Sequence, residues 1–133
     1  MATVFVGIDR EPGVFNSDIT LARDARGQLY HVAYTAEGGA TAVLDVKFQY
    51  YDTVTGTYED LKDSEGTVVA FAQFTGVSED DLIIHPDMAQ TADATHPLAT
   101  GRRFATPHPR KLRVVATVGT DNLTFSIASV PLA

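Results

Sequence analysis

The sequence predicts an all-β protein built as an antiparallel β-sandwich. Three observations carry that prediction. Apolar and polar residues alternate with period two along most of the chain. Turn-forming residues return about every 8–12 positions. No segment sustains a long helical period of apolar residues. A jelly-roll connection of the strands is one arrangement that fits. One domain spans residues 1–133, with residues 1–15 either part of the sandwich or an extended N-terminal arm.

Thr3 to Ile8 reads as the first strand. Ile19 to Arg23 and Leu29 to Tyr34 read as a hairpin around Asp24-Ala25-Arg26-Gly27, where Asp opens and Gly closes a tight turn. A short helix started by Asn16 or Ser17 and stopped by Gly27 is the competing reading. Thr41 to Tyr50 alternates with Ala42, Leu44, Val46 and Phe48 on one face. Asp52 to Gly56 then turns, and Tyr58 to Leu61 returns. Thr67 to Phe74 reads as another strand, with Val69, Phe71 and Gln73 opposite Val68, Ala70, Ala72 and Phe74.

Ser78 followed by Glu79, Asp80 and Asp81 has the form of a helix N-cap with an acidic first turn, which Pro86 would cut short. A short strand from Leu82 to His85 is the alternative. Residues 86–109 hold four of the six prolines and read as a long Pro-rich loop or arm. Lys111 to Val118 and Leu123 to Val130, joined by Gly119-Thr120-Asp121-Asn122, give the clearest hairpin signal.

The composition bounds the chemistry. The chain has 133 residues, 44% hydrophobic and 20% charged, enough for one packed core. Without cysteine there is no disulfide scaffold, thiolate zinc site or cysteine nucleophile. A net charge of −7 argues against a general nucleic-acid footprint. No apolar run is long enough to span a bilayer as a helix, and no basic region precedes the short apolar N-terminal run. A protein made in a cytoplasm, with neither nucleic acid nor membrane as partner, is the expectation. The charge is uneven: residues 1–60 carry a net −5, residues 61–93 a net −6 and residues 94–133 a net +4. The last block gathers Arg102, Arg103, Arg110, Lys111 and Arg113, which suits an acidic partner or the acidic middle of a neighbouring copy. Arg113, within a strand, reads instead as the intramolecular partner of a carboxylate.

No catalytic constellation emerges, and neither an enzyme nor a cofactor is expected. The histidines His31, His85, His96 and His108 match no compact zinc spacing. Glu59-Asp60 and Glu79-Asp80-Asp81 are adjacent carboxylates, not a pair set across a cleft. The turn from Asp52 to Glu59 lacks the ordered ligand spacing of a calcium loop. No serine sits in a nucleophile elbow. Tyr30, Tyr34, Tyr50, Tyr51 and Tyr58 would form a sugar-stacking face if they shared one surface. A small β domain with a long arm and no visible chemistry suits a protein whose function lies in its interfaces.

Two segments, Leu44 to Tyr58 (LDVKFQYYDTVTGTY) and Pro109 to Ile127 (PRKLRVVATVGTDNLTFSI), resemble small β-sandwich virion proteins of tailed bacteriophages. In these a strand runs into an Asp-x-x-Thr-Gly-x-Tyr type of turn, and a Pro-Arg-x-x-Arg-Val strand, a Gly/Asp turn and a terminal strand close the domain. The pattern covers about residues 41–130; residues 1–40 fall outside it, and the excursion at 86–108 is longer than the pattern requires. The resemblance implies a head decoration (cement) protein on the outer capsid surface. Its partners would be the major capsid protein and itself, as a trimer or dimer. Thr3, Val4, Phe5, Val6, Arg102, Arg103 and Arg110 are the candidate contacts. A tail, neck or head-fibre protein and a carbohydrate-binding module are the alternatives.

Overall fold

Strand-forming segments become nine strands in the computed structural model, which describes residues 2–63, 65–87 and 102–133. They are β1 Ala2–Arg10, β2 Gly13–Thr20, β3 Gly27–Glu37, β4 Val43–Asp52, β5 Thr57–Asp60, β6 Ser78–Ile84, β7 Arg102–Phe104, β8 Lys111–Gly119 and β9 Leu123–Leu132. Among the described residues there is no helix. One sheet has the order β1-β9-β3-β6-β7 and the other β2-β8-β4-β5. Every pairing is antiparallel except that of β6 with β7. The order β1-β9-β3-β6 facing β2-β8-β4-β5 is that of a jelly roll, with β7 added beyond β6.

The alternation read in the sequence decides which side chains face inward. Leu44, Val46 and Phe48 of β4 and Leu112, Val114, Ala116 and Val118 of β8 line the inner face of the four-stranded sheet. Tyr30, Val32 and Tyr34 of β3, Leu82 and Ile84 of β6, and Leu123, Phe125 and Ile127 of β9 line the other. These side chains form one cluster, in which each Val, Leu, Ile or Phe is worth about 1.5–3 kcal/mol in removal from water.

Tyr58 returns on β4 as expected, while the other two expected hairpins are corrected by the topology. β2 pairs with β8 in one sheet, while β3 pairs with β9 and β6 in the other. β8 and β9 likewise belong to opposite sheets, so Gly119–Asn122 is a corner between layers. Period-two alternation reports that one face is buried; it does not report whether the successor strand lies alongside or across the sandwich. The helix alternative at residues 16–27 is also excluded, because Gly13–Thr20 is strand throughout.

Residues 2–10 are a paired edge strand, the sandwich reading of the N-terminus. Two further expectations are corrected. Ser78–Ile84 is a strand on β3, not a helix start. Glu79 and Asp81 alternate outward there, and a wet strand face spells the same acids as a helix's first turn. Residues 67–74 make isolated bridges to β4 and to Lys62 and form no named strand. Phe71 N–H donates to Val46 O and Phe74 N–H to Leu44 O, so three residues span two of β4. That extra residue flips the phase and buries Phe71 and Phe74 together, leaving Gln73 exposed. The Pro-rich excursion regains regular structure at β7, while residues 88–101, including His96 and Pro97, lie outside the described residues.

Candidate interaction surface

The edges of the two sheets differ in how they are protected. β7 is three residues long and carries two arginines. β5 is four residues long and ends in Glu59 and Asp60. β2 turns Asn16 and Asp18 outward. Such short or charged edges discourage pairing with other chains. β1 has neither device: it is nine residues long, and residues 2–8 contain no charge. It exposes Val6 to 61% and Ile8 to 51%, and Val14 on the neighbouring edge β2 is 62% exposed. Ile8 and Val14 line one surface depression between the two edges, and Val6 is exposed on β1 beyond a register shift.

Arg10 closes the seam between those two edges. Its register with Leu123 turns the side chain inward. The guanidinium lies 5.4 Å from the ring centre of Phe5, 5.2 Å from Phe15 and 5.1 Å from Phe125. Phe5 and Phe125 belong to one sheet and Phe15 to the other, so one cation bridges both layers by ring-face attraction. Arg10 Nη2 also donates to Val6 O at 3.2 Å. Its buried Nε has no hydrogen-bond partner. The β1 backbone bulges twice, between Thr3 and Phe5 and between Phe5 and Ile8, which twists the edge.

The sequence-derived contact residues divide between opposite edges of the five-stranded sheet. Thr3 is exposed and paired with Ala128, Val4 is half-buried against the core, and Val6 is exposed. Phe5 is a core residue, 5.4 Å from Phe125 ring to ring. Arg102 and Arg103 stand on β7, four strands away, with Arg103 exposed; the Arg102 side chain lies outside the described residues. Arg110 donates to the carbonyls of Ala22 and Arg23 and so ties down the β2–β3 loop. The first group and the basic group are not brought together. Sequence reasoning took in Ile8 as the end of the segment Thr3 to Ile8 and missed Arg10 and Val14; the signal was the absence of charge from residues 2–8 beside a lone arginine.

The outer face of the four-stranded sheet is polar and internally paired. Arg113 Nε donates to Asp18 Oδ1 at 2.8 Å, and its guanidinium stacks 3.6 Å from the centre of the Tyr58 ring. The expected carboxylate partner of Arg113 is thus Asp18, held below the usual carboxylate range chiefly by that hydrogen bond. Asp60 is likewise lowered, first by the amide of Gln49 and then by Lys47. On the other sheet's outer face His31 Nδ1 sits 2.6 Å from Asp81 Oδ1.

A buried polar knot closes the opposite end of the sandwich. Tyr30 Oη and His108 Nε2 are 2.6 Å apart, and His108 Nδ1 is 2.7 Å from Pro109 O. Burial pulls the His108 imidazole below its ordinary range and pushes the Tyr30 phenol well up. His85 reaches Ala133 O at 2.9 Å. Each of these histidines is occupied by internal bonds, and among the described residues no group of three His, Asp or Glu side chains is placed to hold a metal ion. No model of a known protein family matches the chain, and no curated protein matches it.

Proposed function

We propose that this chain is a structural protein of a bacteriophage virion, a head decoration protein that binds the outside of the capsid lattice and clamps its subunits. The observation that carries the reading is the long β1 edge, apolar and free of charge over residues 2–8. A sandwich that leaves one long edge open offers a contact that many identical copies on a shell would repeat. The β4–β5 hairpin, with Gly56 at φ +73°, and the Pro109-led β8 occupy the segments that carry the resemblance to virion proteins.

The carbohydrate reading has less behind it. Tyr30 and Tyr34 are core residues and Tyr50 packs against the core. Arg113 already covers Tyr58, which leaves Tyr51, 42% exposed, as the open ring. A tail or neck role would use the same sandwich in a ring.

Co-sedimentation with shells of the major capsid protein from the encoding phage tests the proposal. Stoichiometric pelleting and a raised melting temperature of the shells are expected. Failure to pellet in low salt sinks the decoration role, and rings formed by the protein alone would favour the tail or neck.

A further inference from the structure

The end of the sandwich where β1 finishes is acidic. Leu123 lies between Arg10 of β1 and Glu37 of β3, which places those two residues at one level. Asp9, Glu11 and Asp121 belong to the same end; Asn122 Nδ2 reaches Asp9 Oδ2 at 3.4 Å. Among the described residues Arg10 is the base at this end, and its guanidinium is turned over three phenylalanine rings. Next to these acids Ile8 is exposed on β1 and lines one surface depression with Val14 of β2, and Val6 is exposed beyond the register shift that separates it from Ile8. Alternate backbone N–H and C=O groups of an edge strand point away from its one neighbour, here β9.

We propose that the β1 edge accepts an extended segment of another protein, antiparallel to β1, apolar along Val6 and Ile8 and basic in its N-terminal flank. Strand addition of this kind takes affinity from main-chain hydrogen bonds and selectivity from alternate side chains. Antiparallel pairing is the more stable polarity and puts the incoming N-terminal flank beside Asp9 and Glu11. A second copy of the chain fits less well. Its own β1 brings Asp9 and no basic pair, and it carries the same net −7. The inference rests on reading β1 as a contact edge, which the decoration role shares; its test needs no capsid.

The probe is a capped synthetic peptide, Lys-Lys-Thr-Val-Thr-Val-Thr-Val-Thr, with a control whose two lysines are glutamates. Amide exchange of the whole chain is read residue by residue by NMR. At about 2 mM lysine peptide, exchange along β1 is expected to slow about threefold, as a dissociation constant near 1 mM gives. The glutamate peptide has little effect. Val6→Lys with Ile8→Lys abolishes the slowing, both positions being exposed and tolerant. Asp9→Lys with Glu11→Lys reverses the preference between the peptides, with melting temperatures checking that both variants fold. No slowing on β1, equal slowing by both peptides, or slowing at β2 or β7 instead overturns the proposal. Slowing that grows with protein concentration and needs no peptide overturns it in favour of a second copy. Failure to bind capsids, with the peptide results as expected, removes the decoration role and leaves this edge assigned.

Discussion

Tyr30 and His108, 78 positions apart in sequence, share a buried hydrogen bond of 2.6 Å between phenol and imidazole. With His108 Nδ1 close to Pro109 O, the neutral tautomer that donates there accepts the Tyr30 proton at Nε2. The pair fastens the segment before β8 onto β3, across the end of the core.

That bond gives stability a pH dependence. Burial lowers the His108 pKa from its ordinary 6.5, so below 6.5 the unfolded chain binds a proton that the folded one refuses. The contribution is complete above 6.5 and is lost as pH falls from there toward the lowered value. The urea midpoint should drop between about pH 7.5 and about pH 5.5, and the drop should shrink in His108→Gln. Tyr30→Phe should cost about 1–3 kcal/mol at neutral pH by leaving Nε2 buried without a donor. An equal pH dependence in wild type and His108→Gln would show that this imidazole is not the titrating group.

Gly27 and Gly39 provide a matched pair of substitutions. A Cβ on Gly27 would stand 2.2 Å from Ile84 O and 2.8 Å from the Cβ of His85. A backbone carbonyl inside a sheet cannot move aside, so Gly27→Ala should cost about 3 kcal/mol or more. A Cβ on Gly39 would stand 1.8 Å from Oδ2 of Asp121, the far end of an exchangeable side chain. Gly39→Ala should cost under about 1 kcal/mol once that carboxylate rotates. Denaturant midpoints compare the two directly, and equal losses would refute the assignment.

What was legible in the sequence follows the physics of each signal. The buried faces of β4, β8 and β9 were readable, because alternation is a local consequence of one wet and one dry side. The partner of Arg113 was readable as a kind, a carboxylate, but its identity as Asp18 depends on the β2–β8 register. The sheet assignment of β8 and β9 was not readable, since a four-residue corner and a hairpin turn use the same Gly, Asp and Asn. Gly27 read as the close of a turn, yet its space is limited by His85, 58 positions away in the chain. The contact edge was half readable: Thr3 to Ile8 was picked out as apolar, but Phe5 is a core residue while Ile8 and Val14 are exposed. The bulges in β1, which shift the alternation, have no sequence signature of their own.

The Asp18–Arg113 pair should matter at low salt and in acid. Asp18 Oδ1 accepts from Arg113 Nε at 2.8 Å on an exposed face, where such pairs contribute at most about 1 kcal/mol. Its carboxyl is lowered from 3.8, so the contribution is present above that value and is lost as pH falls through the lower folded one. Asp18→Asn should lose under about 1 kcal/mol near neutrality, less at about 1 M salt, and show a shallower acid limb. An undiminished loss at high salt would mean that Asp18 acts through packing instead of charge.

Arg10 tests the seam on which both proposals depend. Its guanidinium touches rings from the two sheets, so removing it opens the side of the sandwich where β1 and β2 meet. Arg10→Ala should cost about 1–3 kcal/mol through lost ring contacts and lost cover over Phe5, Phe15 and Phe125. Arg10→Met keeps much of that cover and discards the buried Nε that lacks a partner, so it should cost less. The two variants also separate attraction from packing: equal losses would assign the effect to the cation, and a neutral methionine to apolar cover. In Arg10→Ala the amides of β1 should exchange faster than those of β3 and β8, because β1 is held by a single neighbour and loses its fastening to β2. Uniform acceleration across all three strands would mean that Arg10 supports the whole core and that β1 has no independent freedom to receive a partner strand.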